Sequence, residues 1–244
     1  MTVDDAEPTE HVSRVRPVVE GVLASCAVTA LVTLVSVFVP DAYVATAVGG
    51  IFLAATYYFV WRKDDETVVR SGLALGGLVL PGPTNARTLT RLFLQSLGWA
   101  LGLSLVVFPF FVFGWRAFWH PHVPFTLRFS LSEFANTLFG QIVIIALPEE
   151  AFYRGYLQSR FDEVWAPRFR VLGANLGYGI VLSAVLFALG HLATIHQPAR
   201  LAVFFPALVF GWLRARTGGV GASLLFHAFC NVFSETLGRG YGVY

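Results

Sequence analysis

Apolar residues occur along this chain in long runs separated by short polar stretches, a pattern typical of membrane-spanning helices. A span needs about 20 predominantly apolar residues, and seven segments of the sequence approach or exceed that length. The predicted spans are 18–40, 44–61, 88–115, 131–161, 175–192, 201–213 and 220–237. We therefore predict an all-α, polytopic transmembrane helix bundle with about seven spans, within a range of six to eight.

One further apolar segment, 68–80, is short and rich in glycine, and Pro81-Gly-Pro follows it. We interpret it as an interfacial or re-entrant segment, since it is too short for a full span. The polar N-terminus lacks the basic region of a signal peptide, so the first span is predicted to be retained. The predicted organisation is a polar tail at 1–17, a single transmembrane domain at 18–237 and a short tail at 238–244.

The composition supports an integral membrane protein, because 56% of the residues are hydrophobic and only 13% are charged, against about 25% in soluble domains. With the N-terminus in the cytoplasm, four of the 17 basic residues fall outside (Arg116, Arg128, Arg200 and Arg239) and the other 13 inside. Nearly all of the basic residues are arginine, which suggests a GC-rich bacterial genome. The expected location is therefore the bacterial inner (plasma) membrane. No basic run indicates nucleic-acid binding, so the lipid bilayer is the expected surrounding partner.

Two adjacent acids, Glu149 and Glu150, interrupt the fourth predicted span. Ionisable groups in membrane segments are costly and are candidates for functional sites. Residues four apart share a helix face, so Glu150 can pair with Arg154, whereas Glu149 projects elsewhere. An apolar pocket disfavours a charged carboxylate, and a carboxyl group held near neutrality suits a general base that activates water. The alternative is that both acids mark the water boundary at a helix end.

Two later spans contribute further polar side chains. His191 follows Phe187 by one turn, and Gly190 beside it permits close approach of another backbone. A lone histidine near a helix end is more often structural than catalytic. His227 and Asn231 lie four apart on one face of the last span. Such a pair either joins helices by hydrogen bonds or donates to a developing oxyanion. Side chains from these helices can converge on one site within a bundle.

The order and spacing of these residues resemble a known family. The motif set of the CPBP family consists of Glu-Glu-x-x-x-Arg, found here at 149–154, Phe-x-x-x-His at 187–191 and His-x-x-x-Asn at 227–231. Its members are CAAX-prenyl endopeptidases and bacteriocin-processing intramembrane proteases, also called the Abi family. The motif region covers 141–233, which is under half of the chain, and the N-terminal helices add only compatible hydropathy.

The resemblance implies hydrolysis of a peptide bond in a membrane-associated protein or peptide. It implies that Glu149 activates the attacking water, with His191 helping to hold that water. The ion pair of Glu150 and Arg154 would shape the site, and the polar pair on the last span would stabilise the oxyanion. The implied catalytic residues are Glu149, Glu150, Arg154, His191, His227 and Asn231, with Phe187 shaping the site.

The family has been described both as metalloproteases and as glutamate proteases without a metal. Glu149, His191 and His227 would form a His₂Glu zinc set. The sequence contains no His-Glu-x-x-His, so the zinc signal is weak. We expect a glutamate-type protease with no cofactor, and zinc is the alternative.

The motifs do not specify the substrate. A prenylated protein is not expected for a bacterial chain, and a myxosortase-like member would instead process the C-terminal anchor of surface proteins. The rival function is a non-enzymatic membrane scaffold, immunity factor or transporter with the same fold, since buried ion pairs also mark transport paths.

The predicted span limits place Glu149 toward the cytoplasmic end of its helix and His191 toward the outer end of the next. The two residues would then meet only if the helices were offset, tilted or broken at Pro148, because proline removes a backbone hydrogen bond and kinks a helix.

Overall fold

A computed structural model describes residues 8–127 and 130–243, and these residues form the predicted all-α bundle. They also contain one small β-hairpin, which was not predicted. Their eight helices are α1 (Pro8–Phe38), α2 (Asp41–Trp61), α3 (Asp65–Arg70), α4 (Ala86–Trp119), α5 (Leu131–Asp162), α6 (Tyr178–Thr194), α7 (Phe204–Thr217) and α8 (Gly221–Gly240). The antiparallel hairpin of β1 (Phe169–Val171) and β2 (Ala174–Leu176) connects α5 to α6. Short 3₁₀ turns occur at Leu75–Gly77 and Pro198–Val203.

Within the described residues, five helical segments are long and apolar enough to cross a membrane: α1, α2, α4, α5, and α7 together with the 3₁₀ turn before it. They correspond in order to five of the seven predicted spans. The other two predicted spans are α6, an apolar helix of 17 residues, and α8, which has 20. The integral membrane bundle is therefore confirmed, while the number of crossings stays a prediction. Helix α1 begins at Pro8, inside the segment that we predicted as a polar tail.

The segment 68–80 does not form a spanning helix. Helix α3 ends at Arg70, and the next helical turn is the 3₁₀ turn at Leu75–Gly77. Between them Leu73 is fully buried and lies against α5 at Gly155. The first part of the segment therefore packs into the bundle at Leu73, whereas Leu78 and Val79 near its end are exposed.

We predict that Gly155→Ala destabilises the protein. A Cβ at Gly155 would lie 2.6–2.8 Å from three side-chain atoms of Leu73, and such overpacking costs about 1–3 kcal/mol. Thermal unfolding in detergent measures the effect. The matched control is Gly102→Ala on α4, where a Cβ meets nothing within 4 Å and the better helix propensity of alanine is the main effect. Equal melting temperatures for the two variants would contradict the prediction.

Charged side chains join several helices at one end of the bundle, which we call the ionic end. Arg160 of α5 lies 2.7 Å from Glu20 of α1 and 2.5 Å from Glu163. Glu163 lies 3.5 Å from Arg70, whose carbonyl accepts a hydrogen bond from Arg214 of α7 at 2.8 Å. The predicted topology places the three arginines, Arg70, Arg160 and Arg214, on the cytoplasmic side. Their meeting agrees with a topology in which 68–80 does not cross the bilayer.

Helix α5 is continuous through Pro148 and is not broken there. Its backbone hydrogen-bonding pattern changes instead. Wide π-helical turns lie on both sides of the proline, at Gln141–Ala146 and Ala151–Gln158. Pro148 has no N–H to donate to the carbonyl four residues before it, and the helix around it departs from the regular α-helical hydrogen-bond pattern. Helix α2 packs tightly here, since a Cβ at Gly49 would lie 2.6 Å from the Ile144 carbonyl oxygen.

Candidate active site

The first part of the site is a buried ion pair on α5. Arg154 Nη1 lies 3.1 Å from Glu150 Oε1, and the exposed fractions of the two side chains are 1% and 0%. The pairing predicted from their four-residue spacing is thus present in the structure. Arg154 Nη2 also donates to the carbonyl of Ala207 at 3.3 Å, which links the pair to α7.

The imidazole of His227, on α8, lies between the two glutamates. Its Nδ1 is 3.0 Å from Glu150 Oε1, and its Nε2 is 3.8 Å from Glu149 Oε2. The ring is almost fully buried, and the Glu149 side chain is 12% exposed. Glu149 Oε2 has no hydrogen-bond partner among the described residues. The two glutamates therefore reach the same ring, one through a hydrogen bond and the other across a wider gap.

Two phenylalanines enclose this cluster. Phe210 of α7 stacks on the His227 ring with centroids 4.7 Å apart, and Phe187 of α6 meets that ring edge-on at 6.0 Å. The Arg154 guanidinium lies 4.5 Å from the Phe187 ring centre and 5.1 Å from that of Phe210. Phe187 was a predicted site residue, whereas Phe210 was not, because nothing distinguishes it from the other aromatic residues of its apolar helix.

His191 joins the site through Phe187. The two rings lie 4.4 Å apart, and His191 Nδ1 is 3.0 Å from the Phe187 carbonyl oxygen. No hydrogen bond or ion pair connects His191 directly to Glu149 within the described residues. The neighbouring Gly190 accommodates a side chain rather than the predicted backbone, since a Cβ there would lie 2.9 Å from the Tyr153 hydroxyl oxygen.

Contacts along α5 and α6 show how these two helices pack. The Asp162 carboxylate at the end of α5 sits against Gly179, near the start of α6. The Ser183 hydroxyl of α6 also bonds to the Tyr153 carbonyl of α5. The two helices therefore pack antiparallel side by side, and the relative depth of Glu149 and His191 stays a prediction.

Asn231 lies one turn after His227 and has a partner that the sequence reasoning missed. Its Nδ2 donates to Gln141 Oε1 on α5 at 2.8 Å, and both residues are half-buried. Gln141 opens an apolar run, and we did not predict it as a site residue. It is the only side chain with a hydrogen-bonding group between 138 and 147, which is the signal that would have identified it.

Further hydrogen bonds fix α5 against α6 and α7. The Gln158 amide donates to the Gly211 carbonyl at 3.1 Å, and the Ser183 hydroxyl donates to the Tyr153 carbonyl at 2.7 Å. Gln158 lies one turn beyond Arg154, away from the two glutamates. These contacts hold the helices in register without touching the acidic groups.

The donor arrangement does not fit a zinc ion. Among residues 8–127 and 130–243, no three His, Cys, Asp or Glu side chains are grouped so that they could hold a metal. The alternative zinc set of Glu149, His191 and His227 is therefore not assembled in this arrangement, and the expected absence of a cofactor stays a prediction.

Comparison with known proteins points to one family. The family model described as Type II CAAX prenyl endopeptidase Rce1-like matches residues 131–233. The matched segment starts with α5 and ends within α8, so it contains all six predicted catalytic residues. The match confirms the resemblance to the CPBP family that the motifs indicate. No curated protein and no solved structure matches the chain.

Proposed function

We propose that this protein is an intramembrane endopeptidase that hydrolyses a peptide bond of a membrane-associated protein. The premise is the similarity of residues 131–233 to a CAAX prenyl endopeptidase domain. The observation that carries the proposal is the position of Glu149. Its Oε2 has no hydrogen-bond partner among the described residues and faces His227 Nε2 at 3.8 Å. A carboxylate oxygen so placed is available to take a proton from water.

The reaction adds water to the substrate carbonyl. Glu149 accepts one proton from the water while the water oxygen bonds to the carbonyl carbon. The π electron pair of the C=O bond moves to the carbonyl oxygen. The tetrahedral intermediate then expels the amine as the C–N bond breaks, and Glu149 returns the proton to the leaving nitrogen. In this scheme His191 helps to hold the water. The carboxylate ends in its starting state, so no metal, oxidant or other co-reactant is required.

The oxyanion of the intermediate is assigned to His227 and Asn231. His227 Nδ1–H donates to Glu150, so Nε2 faces the reaction, and it can donate to the oxyanion when the ring carries a proton on both nitrogens. Asn231 lies one turn away on the same face of α8, so its amide and the imidazole can approach one oxygen. Donors of this kind act by being positioned before charge develops. The ion pair of Glu150 and Arg154 holds the ring in place.

The proposed substrates are proteins anchored in the same membrane as the enzyme. The matching family model is described by its CAAX prenyl endopeptidase activity, but prenylated substrates are not expected in a bacterium. We favour a myxosortase-like substrate, a surface protein with a C-terminal membrane anchor. The proposed location is the bacterial inner membrane with a cytoplasmic N-terminus, supported by the arginines gathered at the ionic end.

The function is tested by comparing the termini of membrane and surface proteins in cells with and without this protein. We expect one set of proteins to keep an uncleaved terminus when the protein is absent, and the position of the missing cut identifies the bond. A peptide spanning that bond should then be hydrolysed by the purified protein in proteoliposomes. Identical termini in the two kinds of cell would exclude the endopeptidase.

A scaffold, immunity factor or transporter is the second candidate function. The buried pair of Glu150 and Arg154 is the observation that favours it, because intramembrane charge pairs also line transport paths. The candidates differ in what they require of Glu149, since only the protease uses that carboxylate as a base.

We predict that metal chelation leaves peptide hydrolysis unchanged. The site offers a carboxylate base and donors for the oxyanion, and its described side chains form no metal-ligand group. The measurement is the initial rate of peptide hydrolysis before and after dialysis against EDTA and 1,10-phenanthroline. A loss of activity that added zinc restores would contradict the prediction and show that a metal takes part.

A further inference from the structure

We infer that Gln141 is a positioning residue for Asn231, and that the wide helical turn beginning at Gln141 brings it to the active-site face of α5. The inference rests on the proposed function, because it takes Asn231 as a donor to the oxyanion. It assigns a role to a residue that lies outside the three motifs.

The contacts of α8 show that Gln141 and Glu150 lie on one face of α5. His227 and Asn231 are four apart and share a face of α8. His227 bonds to Glu150 at 3.0 Å, and Asn231 bonds to Gln141 at 2.8 Å. Since one face of α8 meets both partners, the two partners must project from α5 in nearly the same direction.

A regular α-helix would not place them there. Gln141 and Glu150 are nine residues apart, and at about 100° per residue they would project on opposite sides of the helix. The π-helical turn at Gln141–Ala146 has more residues per turn and therefore a smaller rotation per residue. The wide turn brings Gln141 closer to the face that carries Glu150, in keeping with the frequent occurrence of such turns at functional sites.

The hydrogen bond fixes the orientation of the Asn231 amide. One of its two N–H groups can donate to Gln141 Oε1, which leaves the second for another acceptor. An amide without this anchor would rotate about its side-chain bonds, and an oxyanion donor contributes most when it does not reorganise during the reaction. Gln141 therefore acts through Asn231 and does not contact the reacting atoms.

A purely structural bond would only join α5 to α8, so the test needs a variant that loses a comparable bond elsewhere. Gln141→Met removes the acceptor with little change of shape. Gln158→Met on the same helix removes a bond to the Gly211 carbonyl. The probe is the peptide spanning the bond cleaved in cells, labelled with a fluorophore and a quencher, and the enzyme is the full-length protein in proteoliposomes.

We expect Gln141→Met to lower kcat about 10–100-fold with KM nearly unchanged, because the lost interaction acts in the transition state. Gln158→Met should keep kcat near the wild-type value. In the Asn231→Ala background, Gln141→Met should lower kcat no further, since coupled residues are not additive. The inference is overturned if Gln141→Met retains the wild-type kcat. It is also overturned if Gln141→Met lowers kcat as much in the Asn231→Ala background as it does in the wild-type protein.

A second variant guards against a folding defect. Gln141→Glu keeps an acceptor oxygen for the Asn231 amide, and it should retain kcat within about threefold of wild type. If Gln141→Met does not fold, a large loss of kcat in folded Gln141→Glu overturns the inference.

Failure of the proposed function looks different, because then the wild-type protein cleaves no peptide. If Asn231→Ala alone keeps full activity, the oxyanion assignment fails and the inference fails with it.

Discussion

Glu149→Gln is expected to abolish peptide hydrolysis while the protein keeps its fold. The amide has nearly the same shape as the carboxylate but cannot accept a proton from water, and a positioned general base contributes about 10²–10⁴ in rate. Glu149 is not part of the buried ion pair, and its Oε2 lies 3.8 Å from the nearest histidine nitrogen. The neutral side chain should therefore be tolerated. The measurements are kcat for the labelled peptide and the protein termini in cells.

The matched control is Glu133→Gln, a change of the same kind at an exposed position on the same helix. Glu133 completes a capping box with Ser130 at the start of α5, and glutamine also serves at this position. The control should retain wild-type kcat. If Glu149→Gln cleaves as well as wild type while cells without the protein accumulate precursors, the carboxylate is not the base. The scaffold alternative would then account for the data better.

Arg154→Met is expected to cause the largest loss of stability, about 3–5 kcal/mol, because it leaves a buried carboxylate without its cationic partner. The Arg154 guanidinium contacts Glu150, the Ala207 carbonyl and two aromatic rings, and it is 1% exposed. The double variant Glu150→Gln with Arg154→Met should recover part of the loss, because the unpaired charge is gone. Equilibrium unfolding in mixed detergent micelles measures both changes.

A second ion pair of the same spacing provides the comparison. Arg16 and Glu20 are also four apart on one helix, at 2.7 Å, but Arg16 is 79% exposed. Arg16→Met should change the stability by at most about 0.5 kcal/mol, as for other exposed pairs. If Arg154→Met and Arg16→Met lower the free energy of unfolding equally, burial does not determine how much an ion pair contributes to stability. The interpretation of Glu150 and Arg154 as a strongly stabilising buried pair is then wrong.

Much of the fold was predictable because a bilayer imposes a minimum length on every apolar run. The seven predicted spans all correspond to helices, and the glycine-rich segment 68–80 was correctly excluded from them. The start of α1 at Pro8 was missed, because a helix can continue past the apolar region into polar sequence. The relative depth of neighbouring helices does not follow from hydropathy, because it depends on where α5 and α6 end beside the short hairpin.

The candidate site was predictable where contacts follow from spacing along one helix. The pairing of Glu150 with Arg154 and the shared face of His227 and Asn231 both follow from a four-residue interval. Gln141 was missed because regular helical geometry places it opposite Glu150, and the sequence does not reveal the π turn that brings it closer to that face. Phe210 was missed because it is one of 23 phenylalanines. Its stacking on His227 arises only from the packing of α7.

The two partners of Glu150 become available at different times during synthesis. Arg154 emerges four residues later, on the same helix, whereas His227 is 77 residues away in sequence. At 5–20 residues per second, the ribosome delivers that histidine about 4–15 s after the glutamate. During this interval α5 can enter the bilayer with its acid already neutralised by an arginine that travels with it. The local pair thus lowers the cost of insertion before the rest of the bundle exists.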